Sequence, residues 1–190
     1  MDATFGPVSN FPGACYEVGV HARRLDVETA IIWDKRLTGS KPTATRGQDK
    51  PDPDRGDEQY AALPWRRWPD GTVKVLIITS RETRRWVIPK GWPMKHRAPA
   101  EAAAQEAYEE AGVIGDPDPH PVGQYAYGKR LRDGTVQDVT VQVFALEVLV
   151  EQLAFPERAQ REKLWATPAE AAERVDEPAL KTILQAFRPR

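Results

Sequence analysis

Residues 91–113 read Gly91-Trp-Pro-Met-Lys-His-Arg-Ala-Pro-Ala-Glu-Ala-Ala-Ala-Gln-Glu-Ala-Tyr-Glu-Glu-Ala-Gly112-Val113. Pro99 suits the first turn of a helix and Gly112 the residue past its end, so the spacing predicts a helix over 98–111. At 100° per residue, Ala100, Ala104, Ala107 and Ala111 form one small apolar stripe. Glu106, Glu109 and Glu110 lie on a neighbouring face, in the last two turns. That is the wrong end for negative charge, because a helix C-terminus is itself partly negative and each acidic side chain there costs a few tenths to about 1 kcal/mol. The spacings also set Glu106 beside both other carboxylates, which adds like-charge repulsion. A cation held between them offsets both penalties, and carboxylate oxygens suit a hard divalent metal such as magnesium. The competing reading is a solvated acidic helix end.

The stretch resembles the signature of the Nudix hydrolases. That signature runs glycine, five residues, glutamate, seven residues, arginine-glutamate, an apolar residue, any residue, glutamate-glutamate, any residue, glycine, apolar. Gly91, Glu106, Glu109, Glu110, Gly112 and Val113 fall in register without a gap, and Ala107 fills the apolar place. Two positions depart: Arg97 stands where the family has its early glutamate, and Gln105 where it has arginine. The family arginine orients a helix glutamate through a charged contact, for which glutamine offers only a weaker neutral hydrogen bond. The flanks narrow the resemblance. Arg84 to Pro93, reading RRWVIPKGWP, and the later Arg161-Glu-Lys-Leu-Trp165 are similar to segments of diphosphoinositol polyphosphate phosphohydrolases, although Leu164 replaces the usual acidic residue. The likeness covers roughly Gln59 to Phe187.

The resemblance implies an α/β/α sandwich with a central mixed sheet, and hydrolysis of a phosphoanhydride bond by metal-activated water. Magnesium, with manganese as a substitute, is the implied cofactor. Glu106 and Glu110 are the implied direct ligands, Glu109 a ligand or the base acting on water, and the Gly91 carbonyl a further donor. These three glutamates are the expected catalytic residues. The implied substrate is a small-molecule polyphosphate, either a diphosphoinositol polyphosphate or a dinucleoside polyphosphate.

Basic residues concentrate on the segments expected around this site. Lys90, Lys95, His96 and Arg97 crowd the loop before the helix, Lys129, Arg130 and Arg132 a later hairpin, and Arg161 and Lys163 a third segment. Each one alone reads as a solvating surface charge. Their concentration points to a polyphosphate pocket, with Lys90, Arg97, Lys129, Arg130 and Arg161 as the expected substrate-binding residues. His96 reads as an ordinary loop side chain, and Trp86 and Trp92 as packing residues. Arg97 and Gln105 keep a second reading open, a catalytically weak or inactive ligand-binding domain on the same scaffold.

The chain's net charge of −1 gives no reason to expect nucleic-acid or membrane partners. Its single cysteine, Cys15, allows no internal disulfide, and the start of the chain lacks the features of a secretion signal, so a cytoplasmic setting is expected. Oligomeric state is not legible. Residues 1–57 read as an extension without visible chemistry: Asp26 to Trp33 forms a candidate short element, and 35–57 is a polar linker rich in proline and glycine. Residues 58–190 form the expected domain.

Within that domain, strands are expected over Gln59 to Trp65, Val73 to Thr79 and Arg85 to Ile88. The turn signal Pro69-Asp70-Gly71 joins the first two. A second hairpin, 123–131 with 136–150, is expected around Asp133-Gly134. In its second strand Val139, Val141, Val143 and Ala145 share one parity and Phe144, Leu146 and Val148 the other, so both faces should be covered. Pro168 to Val175 and Pro178 to Phe187 read as closing helices. Helix, sheet, helix is the expected layering.

Overall fold

The structure is a computed structural model that describes residues 56–130 and 134–189. Cys15, the candidate element at 26–33, nearly all of the proposed linker and Arg132 lie outside the described residues. The elements run β1 Glu58–Arg67, β2 Val73–Thr79, β3 Trp86–Val87, β4 Lys90–Gly91, α1 Pro99–Ala111, β5 Val113–Arg130, β6 Val136–Glu151, β7 Lys163–Ala166, α2 Pro168–Arg174 and α3 Pro178–Ala186.

One mixed sheet of seven strands carries them, with the order β3-β2-β1-β6-β5, β4 added to β1 and β7 to β2. The β1–β2 hairpin pairs Trp65 with Val75 around the expected turn. β1 and β6 pair in parallel from Glu58–Thr140 to Trp65–Glu147. This is the pairing that makes the sheet mixed, and it joins segments far apart in sequence.

Strand alternation divides the apolar residues between two cores. Leu63, Val75, Ile77, Val139, Val141 and Val143 face α2 and α3, where Ala171, Leu180, Leu184 and Phe187 meet them. Ala62, Leu76, Ile78, Phe144 and Leu146 face α1 through Ala100, Ala103, Ala104, Ala107 and Ala111. The expected three layers and both expected parities of β6 are therefore present. Because α1 touches the sheet almost entirely through alanine, it lies close, and its glutamates reach the strand edge beside it.

α1 is bounded as its sequence predicts. Glu101 Oε2 accepts from Ala98 N at 3.2 Å at one end, and Gly112 takes the left-handed conformation at φ 70° at the other. Lys163 supplies what the helix lacks in its own last turn: its Nζ donates to Ala111 O at 3.0 Å and thus places a cation at the negative end of the dipole. Lys163, grouped by sequence with the phosphate-binding candidates, has a structural partner here.

Three strands differ from expectation. β5 begins at Val113, not at 123, and reaches β6 through register shifts between Ile114 and Gly115, Pro117 and Pro121, and Pro121 and Gly123. The run Asp116–Pro121 alternates three prolines with polar residues, so no β-forming apolar period marks it as a strand. The strand tolerates them because it is an edge with irregular pairing. β4 and β7 were missed because segments of two and four residues carry too little period to register.

Candidate active site

Strand β4 is the floor of the site. Its residue Gly91 pairs with Tyr60 and faces α1, whereas Lys90 pairs with Ala61 and faces the opposite core. From α1, the Glu106 carboxylate lies directly on Gly91. One turn later Glu110 Oε2 accepts from Lys90 N at 3.1 Å. The four-residue step along the helix thus matches the one-residue step along the strand. This match requires glycine at 91.

The acidic cluster is larger than the sequence revealed. Glu157, on the loop before β7, joins it: its N–H donates to Glu109 O at 3.0 Å and its Oε2 accepts from Arg161 Nε at 2.7 Å. Burial, followed by the charges of Glu110, Glu109 and Glu157, pushes the Glu106 carboxyl up to about 8. Burial also raises Glu110, against the pull of Arg161 and Lys90. Glu106 makes no ion pair or hydrogen bond among the described residues. Glu157 escapes a reading of periodicity because it sits on a loop, and its only signal is its position four residues before Arg161.

Not all expected ligands converge. Glu109 is turned to Gln105, whose Nε2 donates to Glu109 Oε1 at 2.7 Å, and Gln105 Oε1 is buried without a partner. No three histidine, cysteine or carboxylate side chains converge as a metal cage among the described residues. The donor set still fits magnesium, which keeps several waters and takes only one or two carboxylates from a protein. Glu106 and Glu110 meet that need beside the Gly91 backbone, and the raised Glu106 marks a carboxylate that a cation would stabilise. Glu109 joins such a set only if it leaves Gln105.

The basic candidates divide between the two faces of the sheet. Lys90 extends over the Tyr127 ring at 5.5 Å, and Lys129 covers the Trp92 ring at 4.7 Å. Burial pushes the Lys90 ammonium down, with Glu110 opposing. Alternation along β5 sets Lys129 with Tyr125 and Tyr127 and puts the exposed Arg130 on the other face. Arg97 is half-buried in the loop before α1, its N–H on Met94 O at 3.3 Å, and its guanidinium makes no ion pair among the described residues. Arg161 lies inside the acidic cluster, ion-paired to Glu110. His96 takes a left-handed φ of 64° in an exposed turn, as a loop residue would.

The Lys90 face holds polar groups that no motif signalled. Tyr127 Oη donates to Gln59 Oε1 at 2.9 Å, and Glu177 pairs with Arg85 at 3.2 Å while its second oxygen is buried without a partner. Burial, then Glu177, holds the Tyr125 hydroxyl well above its ordinary pKa.

The site thus combines a carboxylate cluster on a close-packed helix with basic residues on the strands of a mixed α/β/α sandwich. The NUDIX domain matches residues 57–187, and the chain belongs to that family. It is 37% identical over 106 residues to Nudix hydrolase 12, mitochondrial, of Arabidopsis thaliana, covering 53% of this chain and 51% of that protein. It is 37% identical over 75 residues to diphosphoinositol polyphosphate phosphohydrolase 3-alpha of Homo sapiens, covering 40% of this chain and 43% of that one. The chain spans about half the length of the curated relatives it matches. In fold it is similar to the E. coli dihydroneopterin triphosphate pyrophosphohydrolase, with TM-score 0.54 at 14% identity over 70% of this chain and 95% of the other.

Proposed function

We propose that the domain hydrolyses a phosphoanhydride bond in a small-molecule polyphosphate, with a divalent cation held by Glu106 and Glu110. The observation that carries this reading is the Glu106 carboxylate, buried against Gly91 among Glu109, Glu110 and Glu157 and raised to about 8. Bound there, Mg2+ or Mn2+ would lower the pKa of a coordinated water and neutralise charge developing on phosphate. Lys90 N fixes the Glu110 carboxylate. Glu109, held by a neutral amide and not by a cation, is the carboxylate best placed to accept a proton from the attacking water.

Lys90 and Lys129, on the Tyr125–Tyr127 face, are assigned to the substrate's phosphates together with Arg97 of the loop before α1, whereas Arg130, on the other face, is set apart from them. The Trp92 and Tyr127 rings each already carry a lysine ammonium, which supports a phosphate-rich ligand over a base stacked on those rings. Resemblance to a diphosphoinositol polyphosphate phosphohydrolase supports the same substrate class. A cytoplasmic setting belongs to this proposal, to be checked by imaging a fluorescent fusion.

The test is phosphate release from a panel of diphosphoinositol and dinucleoside polyphosphates with Mg2+, Mn2+ or chelator. Metal-dependent release, fastest on a diphosphoinositol polyphosphate, is the expected result. Binding across the panel without release would replace hydrolysis with ligand sensing.

A further inference from the structure

Arg161 is placed differently from every other basic residue near the site. Its side chain is only 6% exposed, and all three guanidinium nitrogens are engaged. Nη2 donates to Glu110 Oε1, Nε to Glu157 Oε2 at 2.7 Å and Nη1 to Thr79 O at 3.0 Å. These acceptors come from α1, the loop before β7 and the end of β2. A buried guanidinium with three of its five N–H groups taken by three segments of its own chain is held in place by them. Glu110, with Oε1 on Arg161 and Oε2 on Lys90 N, is fixed in plane, yet each oxygen keeps a lone pair for a further cation.

We propose that Arg161 is the resident counter-cation of the carboxylate cluster. It positions Glu110 and Glu157, keeps the metal-free site folded, and sets divalent-cation affinity below what the bare carboxylates would give. This inference rests on the metal-dependent reading above. Arg161 pairs with Glu110 and Glu157 and lowers the burden on the nearby Glu106 carboxyl, and a buried charge deprived of its partner is strongly destabilising. Removing the cation therefore costs stability without metal and leaves a stronger field for a divalent ion. At a separation of a few ångströms inside the protein, that change corresponds to about tenfold or more in affinity.

The experiment is calorimetric titration of the substrate-free full chain with Mn2+, paired with thermal unfolding in chelator and in Mn2+. Arg161→Gln should bind Mn2+ about tenfold more tightly, melt lower in chelator, and gain more from the metal than wild type. Arg161→Lys, which keeps the charge and loses the fork, should bind Mn2+ with nearly wild-type affinity. Glu157→Gln should shift affinity the opposite way, to weaker binding. If Arg161→Gln does not fold without metal, Glu157→Gln decides: affinity equal to or tighter than wild type overturns the proposal. A raised KM in folded Arg161→Gln with unchanged Mn2+ affinity would make Arg161 a phosphate ligand and also overturn it. Failure of the wild type to bind Mn2+ overturns the metal-dependent reading itself.

Discussion

The Glu106 carboxylate rests on Gly91 so closely that a Cβ at 91 would lie 2.0 Å from Oε1 and 2.7 Å from Oε2. Glycine is needed here for space, not for its backbone freedom. Gly91→Ala should push Glu106 off the strand and lower turnover at least tenfold, at a folding cost of about 1–3 kcal/mol typical of overpacking. Steady-state kinetics with urea unfolding will separate the two, and an unimpaired rate would show that Glu106 is not needed where it sits.

Glu106 also makes a prediction about pH. Its carboxyl titrates near 4.5 ordinarily and at about 8 in the fold, raised first by burial and then by Glu110, Glu109 and Glu157. Between those values the folded protein holds a proton that the unfolded chain has released, so this group's contribution to stability is complete below pH 4.5 and is lost as pH rises through about 8. Melting temperature in chelator should fall across that window, and Glu106→Gln should flatten the fall. Stabilisation by Mg2+ should be larger at pH 8 than at pH 6, because at the lower pH the ion must displace a proton. A Glu106→Gln profile with the wild-type slope would place the titration elsewhere.

Glu109→Gln and Glu110→Gln should each cut turnover by orders of magnitude and leave a folded protein. Circular dichroism checks the fold and phosphate release the rate. Wild-type turnover in both would move the chemistry away from α1.

Gln105 holds Glu109 at 2.7 Å and buries an oxygen that has no partner. Gln105→Arg replaces that orphaned acceptor with donors and turns a neutral hydrogen bond into a charged one, so it should maintain or raise kcat. A sharp loss would show that the amide has a role of its own.

Lys163, which also pairs with Glu151 at 3.3 Å, tests the helix end without touching Glu106, Glu109, Glu110 or Glu157. Its ammonium meets Ala111 O and lies over the Phe155 ring at 5.2 Å. Lys163→Met should cost about 1 kcal/mol in urea unfolding and leave KM unchanged. A raised KM would return Lys163 to the phosphate-binding residues.

Local sequence sets the helix, its limits and its acidic register, because proline, glycine and a 3.6-residue period are local properties. It also determined the two faces of β6, since alternation needs no partner strand to be read. What it left undecided is which charges meet. Arg161 and Lys163 sit two residues apart and look alike in sequence, yet one enters the carboxylate cluster and the other caps α1. Glu157 shows no motif, and its place beside Arg161 and Glu109 exists only in the fold. The parallel pairing of β1 with β6 and the proline-bearing edge of β5 are long-range pairings as well. These emerge on folding, because a charge's partner depends on distance in space and its pKa on burial, and neither is encoded in local spacing.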